Sequence, residues 1–297
     1  MQYIRAITDY QNTTPTVMTI GKFDGLHKGH QKLINEVKKV SENKQLSSIV
    51  FAFDMHSKQQ IVTNQERHHL LNEQVDCFVE CPFTEELHTM SAEEFVQKVL
   101  IDIFHVQYLV VGDDFRFGHG RKGTPQLLKE YEREGEFRVE ILAKEKYQEK
   151  DISSTYIKEV IAKGDMELAS TLLGYPYTLV GEVIHGRQLG RTIGVPTMNL
   201  LPAKEKHLPK RGVYFCKTYI DNESYSGICN IGVKPTIAGE EEETVEIHLL
   251  AYAKEIYGKE IVVEILKRER QERKFANLEA LKQQIQKDIE QAKIYFE

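Results

Sequence analysis

The chain has 297 residues, 41% hydrophobic and 28% charged, which is typical of a globular protein long enough for two domains. Its formal net charge of −6 gives no overall basic field, so nucleic acid and anionic membranes are poor partners. No apolar run approaches the roughly 20 residues that span a bilayer, and residues 1–5 lack a signal-peptide core, so we expect a cytoplasmic protein.

The first predicted element is a strand, a loop and a helix. Residues 16–20 are β-branched and apolar, which predicts a strand, and apolar residues recur at helical spacing from residue 33 onward. Residues 19–30, which join the two, read T-I-G-K-F-D-G-L-H-K-G-H.

This loop has the features of a phosphate site. Gly21 and Gly25 let backbone amides approach an anion, and the helix N-terminus attracts one. His27 and His30 would donate to phosphate oxygens as charge develops at phosphorus. Neither G-x-x-x-x-G-K-[ST] nor G-x-G-x-x-G is present. The loop therefore predicts another class of nucleotide triphosphate site, and a tight turn with two exposed histidines is the alternative.

Strand-like and helical runs then alternate as far as residue 142. Residues 91–104 are predicted to be helical and to begin with a capping box of Ser91 and Glu94. Alternation indicates a parallel sheet with helices on both faces, whose ligands bind beyond the carboxyl ends of the strands. Two segments lie at such ends: the histidine loop and G-D-D-F-R-F-G at 112–118. The predicted strands are 48–53, 108–111 and 137–142.

A third segment, D-I-S-S-T at 151–155, opens a helix. Hydroxyl groups at a helix start are most often N-caps, and phosphate binding is the alternative. Gly174 and Pro176 interrupt the helical pattern. We therefore predict two domains, 1–174 and 175–297.

The second domain is predicted to be a small antiparallel β-barrel, because its runs are short, alternating and punctuated by glycine. The predicted strands are 177–184, 212–220, 226–231, 244–252 and 260–266. Asn277 is predicted to cap a terminal helix. The apolar stripe of that helix is predicted to pack on the barrel and consists of Leu278, Leu281, Ile285, Ile289, Ala292 and Phe296.

Two segments of this domain carry residues suited to ligand binding or catalysis. Residues 185–199 form a glycine-spaced loop ending in P-T-x-N. Its glycines and arginines can wrap a polyphosphate, and the side-chain oxygens of Thr197 and Asn199 suit Mg²⁺, with a β-hairpin connection as the alternative. Residues 245–249 read V-E-I-H-L, and the alternation of apolar and polar residues predicts a strand with Glu246 and His248 on one face. A glutamate there is usually solvent-facing; general-base chemistry is the other reading.

Taken in order, these segments resemble the prokaryotic bifunctional riboflavin kinase and FAD synthetase family. Residues 21–30 resemble the G-x-F-D-G-x-H-x-G-H signature of H-x-G-H nucleotidyltransferases. Residues 112–118 resemble G-x-D-F-x-F-G, and residues 152–158 resemble I-S-S-T-x-x-R. Residues 190–199 are similar to G-R-T-x-G-F-P-T-A-N of flavokinases, and residues 245–250 to V-E-x-H-x-L. The resemblance implies a Rossmann-like α/β nucleotidyltransferase domain followed by a riboflavin kinase barrel with a C-terminal helix.

The resemblance also implies the activity. The barrel would phosphorylate riboflavin to FMN, with Glu246 taking the proton of the 5′-hydroxyl. The first domain would transfer the adenylyl group of a second ATP to FMN, giving FAD and pyrophosphate. The substrates would be riboflavin, FMN and ATP, the cofactor Mg²⁺, with no nucleic acid or membrane partner. Weak self-association is left open.

Residue roles carried over from the family fall into four groups. The catalytic residues would be Glu246, His27, His30 and Lys158. The nucleotide-binding residues would be Gly21, Phe23, Asp24, Gly25, Asp114, Ser153, Ser154, Thr155, Gly186, Gly190, Arg191 and Gly194. The flavin would contact Arg270, Glu272 and Phe275. The metal would be held by Thr197 and Asn199.

The chain departs from the family pattern at two places. Tyr156 and Lys158 stand where the family has the arginines of I-S-S-T-R-I-R, and lysine lacks the planar fork of arginine. Residues 54–57, D-M-H-S, stand where the family has a histidine flanked by prolines. The first departure makes a riboflavin kinase with a slow or inactive adenylyltransferase domain the alternative function. A different class of function is a non-catalytic flavin-sensing or regulatory protein on the same scaffold, and the presence of Glu246, Thr197 and Asn199 argues against it.

The four cysteines are too scattered to predict a disulfide framework. Cys77 and Cys81 could form half of a metal site, but no second half exists. We therefore predict small, buried thiols at Cys77, Cys81, Cys216 and Cys229.

Overall fold

The structure is a computed structural model that describes residues 1–54, 59–185, 194–221, 223–235, 241–252, 254 and 256–297. The chain divides into two compact units, Met1–Ser154 and Thr155–Glu297. The division falls before residue 174, so the helical residues from Thr155 onward belong to the compact unit that contains the barrel. The functional boundary at residue 174 stays a prediction.

A six-stranded parallel sheet forms the centre of the first unit. Its strands are β1 (Gln2–Ile4), β2 (Thr16–Gly21), β3 (Ser47–Asp54), β4 (Cys77–Pro82), β5 (Val106–Gly112) and β6 (Arg138–Leu142). They are ordered β1-β4-β3-β2-β5-β6. Strands β2 to β4 are buried along nearly their whole length, as expected for a parallel sheet covered on both faces. Sequence reasoning missed β1 and β4.

Helices alternate with these strands, as predicted. They are α1 (Lys28–Lys44), α2 (Asn64–Leu71), α3 (Glu85–Thr89), α4 (Ala92–Glu94) and α5 (Pro125–Glu134). Helix α1 buries Ile34, Val37 and Val40, the apolar positions that its spacing predicted. The capping box of Ser91 and Glu94 is confirmed, and α4 continues as a π-helix over Phe95–Ile103. Short 3₁₀ turns span Ile7–Asp9 and His119–Arg121. A two-stranded hairpin of β7 (Lys146–Tyr147) and β8 (Lys150–Asp151) precedes α6 (Ser154–Lys163).

The second unit contains α7 (Met166–Leu173) and a closed antiparallel barrel. Its strands are β9 (Tyr177–Ile184), β10 (Met198–Pro202), β11 (Gly212–Ile220), β12 (Glu223–Pro235), β13 (Glu241–Leu249) and β14 (Glu260–Gln271), followed by α8 (Leu278–Phe296). The closed order is β10-β13-β12-β11-β14-β9. The predicted barrel and its terminal helix are confirmed; β10 was not predicted.

Side chains alternate across the barrel wall. Tyr214 and Cys216 point to one side of β11, and Val213 and Phe215 point to the other, where they pack in a cluster with α8 residues such as Ile289. The asparagine cap of α8 is confirmed by the bond from the Ala280 amide to Asn277 Oδ1. The predicted stripe is wrong at its first position, because Leu278 is exposed in the first turn.

All four cysteines are buried free thiols, as predicted. Burial raises the pKa of Cys77, Cys81 and Cys216 to about 12, 11 and 12 respectively, so these thiols are protonated near neutral pH. They belong to the cores of the two units.

Candidate active sites

A pocket of about 510 Å³ opens at the carboxyl ends of β2 and β5 in the first unit. Strands β3 and β5 lie on opposite sides of β2, so the strand order reverses direction here. Ligands of open α/β sheets bind at such a reversal point. The last residues of both strands, Gly21 and Gly112, line the pocket together with Phe23, His30 and Asp114.

Two histidines stack at the edge of this pocket. His27 occupies the N-cap position of α1 without a side-chain capping bond, and His30 follows in the first turn. Their ring centroids are 3.7 Å apart and the ring planes differ by 20°. Gly29 favours the stack, because a Cβ there would lie only 3.2 Å from the His27 ring and would press the ring out of place. The glycine in H-x-G-H thus makes room for an imidazole.

Both imidazoles are held neutral in the free protein. Burial lowers the pKa of His27 to about 4, although the carboxylates of Asp24 and Asp114 oppose the shift. Burial also lowers the pKa of His30 well below its usual value, and the charges of His27 and Arg67 lower it further. Nδ1 of each ring is buried and has no hydrogen-bond partner within the described part of the chain. An anion placed beside the rings would favour their protonation and satisfy their donors.

Asp24 organises the loop rather than lining the pocket. Its Oδ1 accepts a hydrogen bond from the Ile61 amide at 2.8 Å, and its carbonyl accepts one from the Ser154 hydroxyl at 2.7 Å. Gly25 lies beside the same isoleucine and has φ +92°. The histidine loop is therefore tied to two distant segments of the first unit. The nucleotide-binding roles predicted for Asp24, Gly25 and Ser154 stay predictions.

Sequence reasoning missed Lys144. Its ammonium group lies 3.0 Å from Asp114 Oδ2 and 3.5 Å from Asp151 Oδ2. The hydrogen bond to Asp114 raises the pKa of Lys144, with Asp151 adding to the effect, so the lysine is charged at neutral pH. This bridge joins the G-D-D-F-R-F-G segment to the start of the D-I-S-S-T segment. No local pattern predicts it, because the lysine lies in an unremarkable K-E-K run.

Aromatic rings form another part of the lining of the same pocket. Phe115 and Phe117 stack with centroids 5.3 Å apart, and Phe53 contacts Phe83 edge-to-face at 5.6 Å. All four rings line the cavity, and Arg116 and Arg121 lie at the same rim. The pocket therefore combines polar groups, among them His30 and Asp114, with several aromatic rings. A planar ring with a charged tail suits such a cavity.

Three polar side chains on neighbouring strands, Asn199, Glu246 and Asn230, form a row along one face of the barrel wall in the second unit. Glu246 of β13 is directly opposite Asn199 of β10 on one side and Asn230 of β12 on the other. Opposed residues in antiparallel strands share a face, with Cβ atoms about 5 Å apart. Val245 and Ile247 point the other way and are fully buried. The predicted common face of Glu246 and His248 is thereby confirmed.

Thr197 precedes β10 and lies next to this row. His248 Nδ1 is 2.8 Å from the carbonyl oxygen of Pro196, directly before Thr197. Gly194, at the start of this segment, is exposed and has φ +77°. The predicted nucleotide-binding residues Gly186, Gly190 and Arg191 lie outside the described residues.

The three predicted flavin contacts differ in their surroundings. Arg270 makes a bidentate ion pair with Asp288 of α8, at 2.7 Å between Nη2 and Oδ2, so its guanidinium group ties the terminal helix to the barrel. The Glu272 carboxylate lies against the backbone of Gly232, in space that a Cβ there would occupy. Phe275 is 6.0 Å from the Arg270 guanidinium.

The D-I-S-S-T segment divides between the compact units. Ser153 and Ser154 end the first unit, and Thr155 and Lys158 belong to the second. The main-chain carbonyl of Lys158 accepts a hydrogen bond from His207 Nε2 at 3.1 Å. The catalytic role predicted for Lys158 stays a prediction.

Family models account for nearly the whole chain. Residues 9–156 match the FAD synthetase model, and residues 173–296 match the riboflavin kinase model. The chain belongs to the bifunctional riboflavin kinase/FMN adenylyltransferase family. The family and enzyme class predicted from the motifs are confirmed, with one domain of each kind in the predicted order.

Relatives of that family cover the full chain. A bifunctional riboflavin kinase/FMN adenylyltransferase of Bacillus subtilis is 37% identical over 95% of this chain and 92% of its own. The corresponding protein of Escherichia coli K12 is 35% identical over 94% and 92%. A Streptococcus pneumoniae crystal structure described as a macrolide-efflux protein has TM-score 0.88 and 29% identity, covering 98% of each chain. Among the described residues, every helix is too short or too polar to cross a bilayer.

Proposed function

We propose that this chain converts riboflavin to FMN in the barrel and FMN to FAD in the first unit, using ATP in both steps. The observation that carries the proposal is the pair of separate polar sites, one in each matched domain. One centres on Glu246 in the barrel wall, and the other on the His27–His30 stack at a pocket edge.

In the barrel, Glu246 would take the proton of the riboflavin 5′-hydroxyl. The hydroxyl oxygen then bonds to the γ-phosphorus of ATP, and the bond to the β–γ bridging oxygen breaks, leaving ADP. Asn199, directly opposite on the neighbouring strand, is nearly buried and fixed by the strand register. Its position lets its amide orient reactants beside the carboxylate.

We propose Mg²⁺ as the metal of this step. The Thr197 hydroxyl and the Asn199 amide oxygen are hard donors, which suits Mg²⁺. Asn199 is paired with Glu246 in the strand register, and Thr197 lies two residues earlier, directly before the ladder. When bound, the ion would neutralise charge on the phosphate oxygens. Two protein ligands supplemented by substrate phosphates is the usual arrangement for this metal.

In the first unit, a phosphate oxygen of FMN would attack the α-phosphorus of ATP, and pyrophosphate would leave. The nucleophile is already ionised, so the protein needs donors rather than a base. His27 and His30 supply them, because their buried Nδ1 atoms have no other partner within the described residues. The aromatic rings that line the same pocket would hold the flavin ring.

One incubation tests both steps. The purified chain is mixed with riboflavin, ATP and Mg²⁺, and the flavins are separated by chromatography over time. We expect FMN to appear first and FAD to follow. Accumulation of FMN without FAD would instead favour a slow adenylyltransferase domain, the alternative suggested by Tyr156 and Lys158. Absence of both products would refute the proposed function.

A further inference from the structure

The proposed metal ligand Thr197 is fixed from both sides by the strand that carries Glu246. After it, Met198 pairs with Ile247 in the regular ladder between β10 and β13. Before it, the Pro196 carbonyl oxygen lies 2.8 Å from Nδ1 of His248. The imidazole thus extends the strand pairing past the end of the ladder with a side-chain bond.

The chemistry of the contact fixes which ring nitrogen carries the proton. A carbonyl oxygen only accepts, so Nδ1 of His248 must donate to Pro196. Val195, one residue earlier, packs in the cluster beneath α8. That packing fixes the path of the chain, but an apolar contact leaves the peptide plane free to turn. The bond to the carbonyl oxygen sets the direction of the plane from which Thr197 projects.

We propose that His248 is a positioning residue of the kinase site, which holds Thr197 at a constant separation from Glu246. The inference rests on the proposed kinase function. His248 lies two residues from Glu246 on the same strand and the same face. A single strand therefore supplies both the base and the anchor for the metal ligand.

A matched pair of substitutions separates the hydrogen bond from the shape of the side chain. Asparagine carries an amide nitrogen close to the position of imidazole Nδ1, whereas leucine has nearly the same outline and no donor. We expect His248→Leu to raise the KM for Mg·ATP by roughly three- to tenfold, the range for one lost hydrogen bond. His248→Asn should restore a KM close to that of the parent.

Three further measurements exclude a merely structural effect. The KM for riboflavin and the rate of FMN adenylylation should be the same in both variants as in the parent. The kinase pH profile of His248→Asn should keep the limbs of the parent profile, because both neutral Nδ1–H imidazole and imidazolium can donate to the carbonyl. Loss of a limb would assign His248 to proton transfer and overturn the positioning role.

Binding measured without turnover keeps this inference separate from the proposed function. Calorimetric titration with Mg·ADP should show weaker binding in His248→Leu, by the same factor as the KM change, and normal binding in His248→Asn. Equal behaviour of the two variants, or a leucine variant identical to the parent, would overturn the inference while leaving kinase activity standing. A parent protein that makes no FMN would refute the kinase function, and the titrations would still decide whether His248 positions the nucleotide site.

Discussion

The two sites of this chain are built in different ways. The site of the first unit is a loop whose shape depends on bonds to residues far along the chain, such as those joining Asp24 to Ile61 and Ser154. The barrel site is set by strand register, which places Asn199 and Asn230 on either side of Glu246. A loop site can therefore be disturbed from many distant positions. A strand site changes little unless a residue in the row, or the strand pairing itself, changes.

The largest expected effect comes from the carboxylate of the barrel row. Glu246→Gln keeps the shape of the side chain but removes the proposed base, so we expect riboflavin phosphorylation to fall by about 10²- to 10⁴-fold. FMN adenylylation should not change, because its donors lie in the other unit. Separate assays of FMN formation and of pyrophosphate release from FMN and ATP measure the two activities. A parallel loss of both would break the comparison of two independent sites.

The reciprocal change is His30→Ala in the loop site. Removing a donor to the developing charge should slow adenylyl transfer by about 10²- to 10³-fold and leave the kinase unchanged. His69→Ala, an exposed histidine on α2, serves as the control and should match the parent. If His30→Ala transfers adenylyl groups at the parent rate, the histidine stack has no part in the reaction.

The third prediction concerns how α8 is held on the barrel. Arg270→Met removes the cationic partner of the buried Asp288 carboxylate and leaves it only the hydrogen bond from Gln284 among the contacts described, which should reduce the free energy of unfolding of the barrel unit by about 2–4 kcal/mol. The double variant Arg270→Met/Asp288→Leu should recover part of that loss. Chemical denaturation measures both.

Kinase assays on the same double variant sharpen the result. Recovered stability together with recovered activity would show that Arg270 acts through the helix. Recovered stability without activity would support the flavin contact predicted from the family.

The smallest predicted effect is a pH dependence confined to the first unit. His27 has a pKa of about 4 when folded and about 6.5 when unfolded, so between these values the unfolded chain binds more protons. The stabilising contribution of neutral His27 is complete above pH 6.5 and is lost as pH falls towards 4, on the order of 3 kcal/mol. Melting curves of the parent and of His27→Asn measure it. An equal slope in both proteins would contradict the assignment.

Sequence reasoning succeeded where a local pattern carries the information. The alternation of apolar and polar residues predicted that Glu246 and His248 share one face of β13, and the strand-loop-helix pattern predicted where His27 and His30 begin α1. It failed where the determining contact joins distant segments. The bridge from Lys144 to Asp114 and the pair of Arg270 with Asp288 have no local signature.

Short or unusual elements were also missed. Strand β10 has five residues directly after a glycine-rich loop, and β4 contains a glutamate and two cysteines that drew attention to metal chemistry instead. The stripe of α8 was extended to Leu278 because helical period alone cannot show where the partner surface ends. In each case the deciding factor was packing between elements.

The strand register of the barrel has a consequence for folding accuracy. A slip of one residue along β13 would turn Glu246 into the barrel interior, where Val245 and Ile247 now lie, and would expose those apolar side chains to water. An unpaired carboxylate in such surroundings is strongly disfavoured. The side chain proposed to take the substrate proton therefore also discriminates against misaligned barrels during folding, so selection for catalysis and selection for a unique native state act on the same atoms.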